Sequence, residues 1–168
     1  MGIETAPDFT ALARELSALN TECGRLKEAA MALADRAAPI IKQNKRNIPV
    51  RDTAFEEEFH AFIASVTTFT NQSGDFWKTR MSFVRMSDGA ELTAANRMGA
   101  IALLAHARQT HNDIAAFCSS VSYLHTDGKS LPMRLNWFAL ETACSDMEKL
   151  SSKIALLVRE LSKHVKIS

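Results

Sequence analysis

The chain has 168 residues, 46% hydrophobic and 23% charged, with a formal net charge of +1. That balance excludes a disordered chain, which needs less hydrophobicity and more net charge. It also excludes a strong overall field steering the chain onto nucleic acid or an anionic membrane, so nucleic acid is not an expected partner.

The length suits a single helical-bundle domain over residues 1–168, with a sizeable core. No stretch reaches the roughly 18 apolar residues of a membrane span. The opening Met-Gly-Ile-Glu-Thr-Ala-Pro-Asp is not a basic segment followed by an apolar run, as a signal peptide would be. Cys23, Cys118 and Cys144 sit among apolar neighbours, with no spacing of a disulfide framework or a zinc ligand set. These features predict a cytoplasmic protein with three small buried thiols and no metal or other cofactor.

The first helix is expected to begin near Pro7, Asp8 or Thr10 and to run to about Asn44. Phe9, Leu12, Leu16, Leu19, Cys23, Leu26, Ala30, Leu33, Ala37 and Ile40 alternate steps of three and four, and the charged residues fall off this seam. A step of about 3.5 residues keeps one stripe facing a partner helix over a long distance. Pro39 removes a backbone donor, so a bend or an early end is expected near residues 35 to 39. The polar segment from Gln43 to Asp52 reads as a connection. Its cations Lys42, Lys45, Arg46 and Arg51 suit the negative end of a helix dipole.

The second helix is expected from Thr53 toward Met86. Thr53 with Glu56 matches a capping box. Its seam reads Phe55, Phe59, Phe62, Val66, Phe69, Ser73, Phe76, Arg80, Phe83. The stretch Thr67 to Gly74 consists of poor helix formers, and a kink is expected there. Ser73 and Arg80 interrupt a phenylalanine seam, with Trp77 between them. A seam arginine needs a carboxylate, a carbonyl or a bound anion, so Ser73, Trp77 and Arg80 are candidates for a small-ligand pocket.

Ser87-Asp-Gly-Ala90 reads as a turn, and a third helix follows to about His125. Its first half is unusual. From Leu92 to Ala107 the ionisable residues are Arg97 and His106 alone. A helix apolar nearly all round is buried on more than one side. Either an extra segment covers it (the first connection or the Trp137-Phe138 region) or another subunit does. Ala95, Gly99 and Ala102 are small enough for a second helix to approach, which makes them the candidate interface of a homo-oligomer. Thr126 to Ser130 is the next turn. Ser130, with Pro132 just inside, is expected to start a fourth helix that runs to about Val165. The fold class is therefore all-α: a long antiparallel up-down-up-down four-helix bundle.

Three patterns touch on chemistry. Glu57-Glu-Phe-His60 is one half of a di-iron carboxylate motif, but no second Glu-x-x-His accompanies it. Arg159-Glu-Leu-Ser-Lys-His164 resembles, over six residues, the Arg-x4-His motif of HEPN-family ribonucleases. That resemblance implies Arg159 and His164 as catalytic residues acting on a scissile phosphate across a dimer interface. Glu160 departs from the small polar residue or histidine usual in that family. Gln109-Thr-His-Asn-Asp-Ile-Ala-Ala-Phe117 resembles the phospho-acceptor box of histidine-kinase dimerisation hairpins, which would make His111 the acceptor. The downstream proline and an ATP-binding domain are missing, and His111 falls on the seam Leu104, Ala107, His111, Ile114, Cys118, Val121. The reading that remains is a non-catalytic interaction or regulatory module that assembles with itself or another protein. A HEPN-like ribonuclease and a small-ligand sensor with a pocket near Arg80 are the alternatives.

Overall fold

The computed structural model describes residues 8–47, 52–76, 93–128, 131 and 135–164. They form four helices: α1 (Phe9–Lys45), α2 (Thr53–Asp75), α3 (Ala94–Gly128) and α4 (Trp137–His164). No strand occurs among the described residues. The protein is an all-α four-helix bundle.

The α1 seam faces the core as its period dictates. One heptad register, Phe9, Leu16, Cys23, Ala30 and Ala37, is wholly buried. The other register, Leu12, Leu26, Leu33 and Ile40, is buried too, with Leu19 half-buried. In α2 the same holds for Phe55, Phe59, Phe62, Val66, Phe69, Ser73 and Phe76. In α4 it holds for Leu140, Ala143, Met147, Leu150, Ile154, Leu157 and Leu161, again in steps of three and four. Burial stabilises each of the larger of these side chains by about 1.5–3 kcal/mol relative to exposure. The buried apolar residues among them belong to one contiguous core, with Leu19 packed against it.

Several local expectations change. Asp8 caps α1, its carboxylate accepting from the Ala11 N–H at 3.1 Å. α1 then continues through Pro39 to Lys45. Pro39 and Asp35, the residue one turn earlier whose carbonyl loses its donor, are both exposed, so the lost bond falls on the solvent side of the helix. The helix ends at Lys45, close to the expected Asn44, and Asn47 just beyond its cap takes the left-handed conformation with φ 56°. Asp52, rather than Thr53, caps α2 by accepting from the Phe55 N–H at 3.0 Å. α2 continues through the Thr67–Gly74 stretch. The hydroxyls of Thr67, Thr68, Thr70 and Ser73 donate to carbonyls in the preceding turn, while Val66, Phe69, Ser73 and Phe76 are held in the core. α4 spans Trp137–His164 and is capped by Asn136, while the expected start at Ser130 and Pro132 lies outside the described residues.

The helix contacts are not limited to neighbours in the chain. The most extensive helix–helix contact joins α1 to α3, followed by α3 with α4, α1 with α2, and α2 with α4. α1 and α3 run side by side in the same direction. The Phe9 N–H meets Asn96 at their starts, and Lys27 meets Asp113 midway. α4 returns along α3, since His125 pairs with Glu141, Cys118 lies against Cys144 and His111 meets Ser151. At the far end α2 packs its Phe59 ring on Trp137 at 5.3 Å and its Phe62 ring on Phe117 at 5.6 Å. No helix is long and apolar enough to cross a membrane among the described residues.

Candidate functional site

The start of α3 is built against the start of α1. Thr93 accepts from the Asn96 N–H at 3.1 Å. The Asn96 side chain then accepts from the Phe9 N–H at 2.8 Å, so a residue of α3 satisfies one of the orphan donors that begin α1. Three residues on, Gly99 is buried beneath Thr10. A Cβ on Gly99 would lie 2.5 Å from the Thr10 nitrogen and 2.9 Å from the Phe9 carbonyl carbon. Glycine is required because backbone occupies the space a side chain would need.

This corrects the sequence reading of helix 3. What covers Gly99 is α1 and not Trp137. Trp137 packs instead at the opposite end of α3, against Gly128. The burial is one-sided, however. Ala94, Ala95, Met98, Ile101 and Ala105 face solvent, and Met98 is 72% exposed. Ala102 is half-buried. Between this stripe and α1 runs a groove of about 480 Å³, lined by Thr10, Ala13, Arg14, Ser17, Ala95, Met98, Gly99, Ala102 and His106. The three small residues singled out from sequence, Ala95, Gly99 and Ala102, thus share one groove, with Gly99 as its floor. The lining offers two hydroxyls, a guanidinium and an imidazole around an apolar floor.

The other sequence candidates lie elsewhere. Ser73 is fully buried, and its hydroxyl donates to the Phe69 carbonyl at 2.8 Å, so it is satisfied within its own helix. Trp77 and Arg80 lie outside the described residues. Arg159 is exposed on α4, and the His164 side chain lies outside the described residues. His111 is half-buried at the α3/α4 contact, its Nδ1 2.9 Å from the Ser151 hydroxyl. Glu57 and His60 point to solvent from α2.

Sequence reasoning missed a buried charge. Asp113 is 5% exposed, inside the α1/α3 seam. It accepts from the Gln109 amide at 3.0 Å and pairs with Lys27 of α1 at 3.4 Å. The signal was available only across helices: Lys27 follows Cys23 and Gly24 by one turn, and the missing Gly24 side chain leaves room beside the carboxylate. The cysteines also differ from one another. Burial, with the Asp113 charge adding to it, pushes the Cys23 thiol up to about 12. The Cys118 and Cys144 thiols share one hydrogen bond at 3.9 Å, and that coupling raises Cys118 and lowers Cys144. No protein-family model, no curated protein and no solved structure matches the chain.

Proposed function

We propose that this chain is a non-catalytic helical module that assembles with a second copy of itself through the outer stripe of α3 and the groove beside it. The observation that carries the reading is the run of exposed apolar residues on the first turns of α3, with Met98 72% exposed. Apolar surface gathered in one place is unusual on a monomer, and two-fold pairing of one patch with itself is the commonest way to cover it. A methionine at the crest suits such a surface, because its unbranched side chain adapts to the facing helix. Arg14 and His106 at the groove's edge supply polar contacts. The role that follows is interaction or regulation in a reducing, cytoplasmic setting, which accords with three free cysteines. The ribonuclease alternative has less behind it, because its likeness covers six residues and Glu160 departs from the family's pattern.

Sedimentation velocity across a concentration series tests this. The wild-type chain should show a concentration-dependent shift from monomer to dimer, and Met98→Glu or Ala102→Glu should hold it at monomer with unchanged helicity. A wild-type chain that remains monomeric at high micromolar concentration overturns the reading. Gly99→Glu is not a suitable probe, because it would disrupt the α1/α3 contact inside one chain.

A further inference from the structure

A second cluster lies on the other side of α3, where α4 packs. Cys118 on α3 and Cys144 on α4 bring their sulfurs to 3.9 Å, and Glu148, one turn beyond Cys144, places Oε1 3.9 Å from the Cys144 sulfur. The three ligand atoms all lie within 4.8 Å of one another. We propose that Cys118, Cys144 and Glu148 form a binding site for one divalent cation of the zinc class, with its fourth position open to an outside ligand.

Three arguments support this assignment. The first is geometric. A tetrahedral site with zinc–sulfur bonds of about 2.3 Å separates two sulfurs by about 3.8 Å, so the pair is already at ligand spacing. The second is the frame. Cys144 and Glu148 are four residues apart on one helix, hence on one face, and Cys118 comes from the neighbouring helix packed against it. The site therefore needs no loop to close. The third is access. Both cysteines are half-buried and Glu148 is exposed, so a cation reaches the thiols from solvent while the helices hold them in place. Two sulfurs and one carboxylate favour a borderline or soft metal over magnesium or calcium, which take all-oxygen sets. On binding, each thiol gives up its proton to solvent and the carboxylate coordinates as it stands. One metal dication thus replaces two protons, and no oxidant or reductant is needed.

The test uses the full chain, kept reduced, titrated with Co²⁺ as a spectroscopic probe and then with Zn²⁺. One equivalent of cobalt should raise thiolate-to-cobalt absorption in the near ultraviolet together with the visible bands of a tetrahedral site. Zinc should then abolish both. Cys118→Ser and Cys144→Ser should each weaken binding by at least about 100-fold, and Glu148→Gln by about tenfold or more. Cys23→Ser, on α1 and outside the cluster, should retain the spectrum, and circular dichroism confirms that each variant is folded. Zinc should also raise the wild-type melting temperature and leave that of Cys144→Ser unchanged, since binding to the native state alone is stabilising. Reduced wild-type protein that gives no thiolate–cobalt absorption overturns the proposal. So does a spectrum that survives Cys118→Ser and Cys144→Ser.

Discussion

α3 meets the start of α1 where a side chain is missing, whereas α2 meets the rest of the bundle through its largest side chains. Cys23, Ala30 and Ala37 of α1, and Ala100 and Ala107 of α3, have no exposed surface at all. Gly99 lets the Thr10 backbone come closer than any side chain would permit. In α2 the buried positions are mostly phenylalanine, and they reach their neighbours ring to ring, at 5.3 Å from Phe59 to Trp137 and 5.6 Å from Phe62 to Phe117. The size of the side chains at a contact sets the distance between helix axes, within a range of about 8–10 Å. The two regions therefore hold together differently. The α1/α3 pair depends on absent atoms, and the α2 contacts depend on volume.

The contrast is broken most severely by emptying the aromatic region. Phe59 is fully buried between Phe55 and Trp137. Phe59→Ala should cost about 3–5 kcal/mol in denaturant unfolding, the usual penalty for an emptied aromatic site. A loss near that of an exposed residue such as Glu57, about 0.5 kcal/mol or less, would show that α2 is not a structural part of the core.

Next in size is the close approach of α1 to α3. Gly99→Ala places a methyl where the Thr10 nitrogen and the Phe9 carbonyl carbon already stand, at 2.5 and 2.9 Å. Neither is the end of a flexible side chain, so a backbone has to move. The cost should be about 1–3 kcal/mol, as for overpacked sites. It should exceed the cost of Ala102→Val at the half-buried neighbour, and equal costs would mean that the two helices separate freely.

The Lys27–Asp113 pair comes third. Asp113 is nearly enclosed, while the Lys27 side chain is 28% exposed. Lys27→Met removes the charge partner and leaves the carboxylate with the Gln109 amide. The loss should be about 1–3 kcal/mol, the cost of an imperfectly satisfied buried group, reduced to the extent that solvent reaches Lys27. A double-mutant cycle with Asp113→Asn isolates the coupling. A coupling of zero would assign Asp113 to Gln109 alone.

How much of this was legible in the sequence depends on how each helix is buried. α1 and α2 each bury a narrow stripe, so their periods stand out and nearly every seam residue was placed correctly. α3 buries residues along several registers, including Leu103, Leu104, Ala107, Thr110, Asp113, Ile114 and Phe117. A face that broad blurs the period, and for that reason Asp113 went unnoticed. Periodicity also states that a stripe has a partner without stating which one, so the parallel α1/α3 pairing was not readable. Packing outweighed local preference in two places: α1 runs past Pro39 to Lys45 with Ile40 and Ile41 in the core, and the poor helix formers of Thr67–Gly74 are helical with Phe69 and Ser73 buried. The juxtaposition of Cys118 with Cys144, 26 residues away, exists only once α4 is laid along α3.

The smallest expected effect sharpens the comparison, because it concerns the same substitution with the opposite sign. Gly74 lies in α2 in helical conformation, half-buried, and a Cβ there would meet nothing within 4 Å. Alanine at that position loses no contact and removes the excess backbone freedom glycine has in the unfolded chain. Gly74→Ala should therefore stabilise the protein by about 0.5–1 kcal/mol, visible as a raised midpoint in urea at unchanged slope. Gly99→Ala should lower the same midpoint. Both residues are helical glycines, so helix propensity alone predicts a gain at both sites. Only the backbone of Thr10 distinguishes them. A gain at both would show that α1 yields to the added methyl, and that the small residues of α3 set no close approach. A loss at both would place something against Gly74, and α2 would then be as tightly constrained at its end as α3 is at its start.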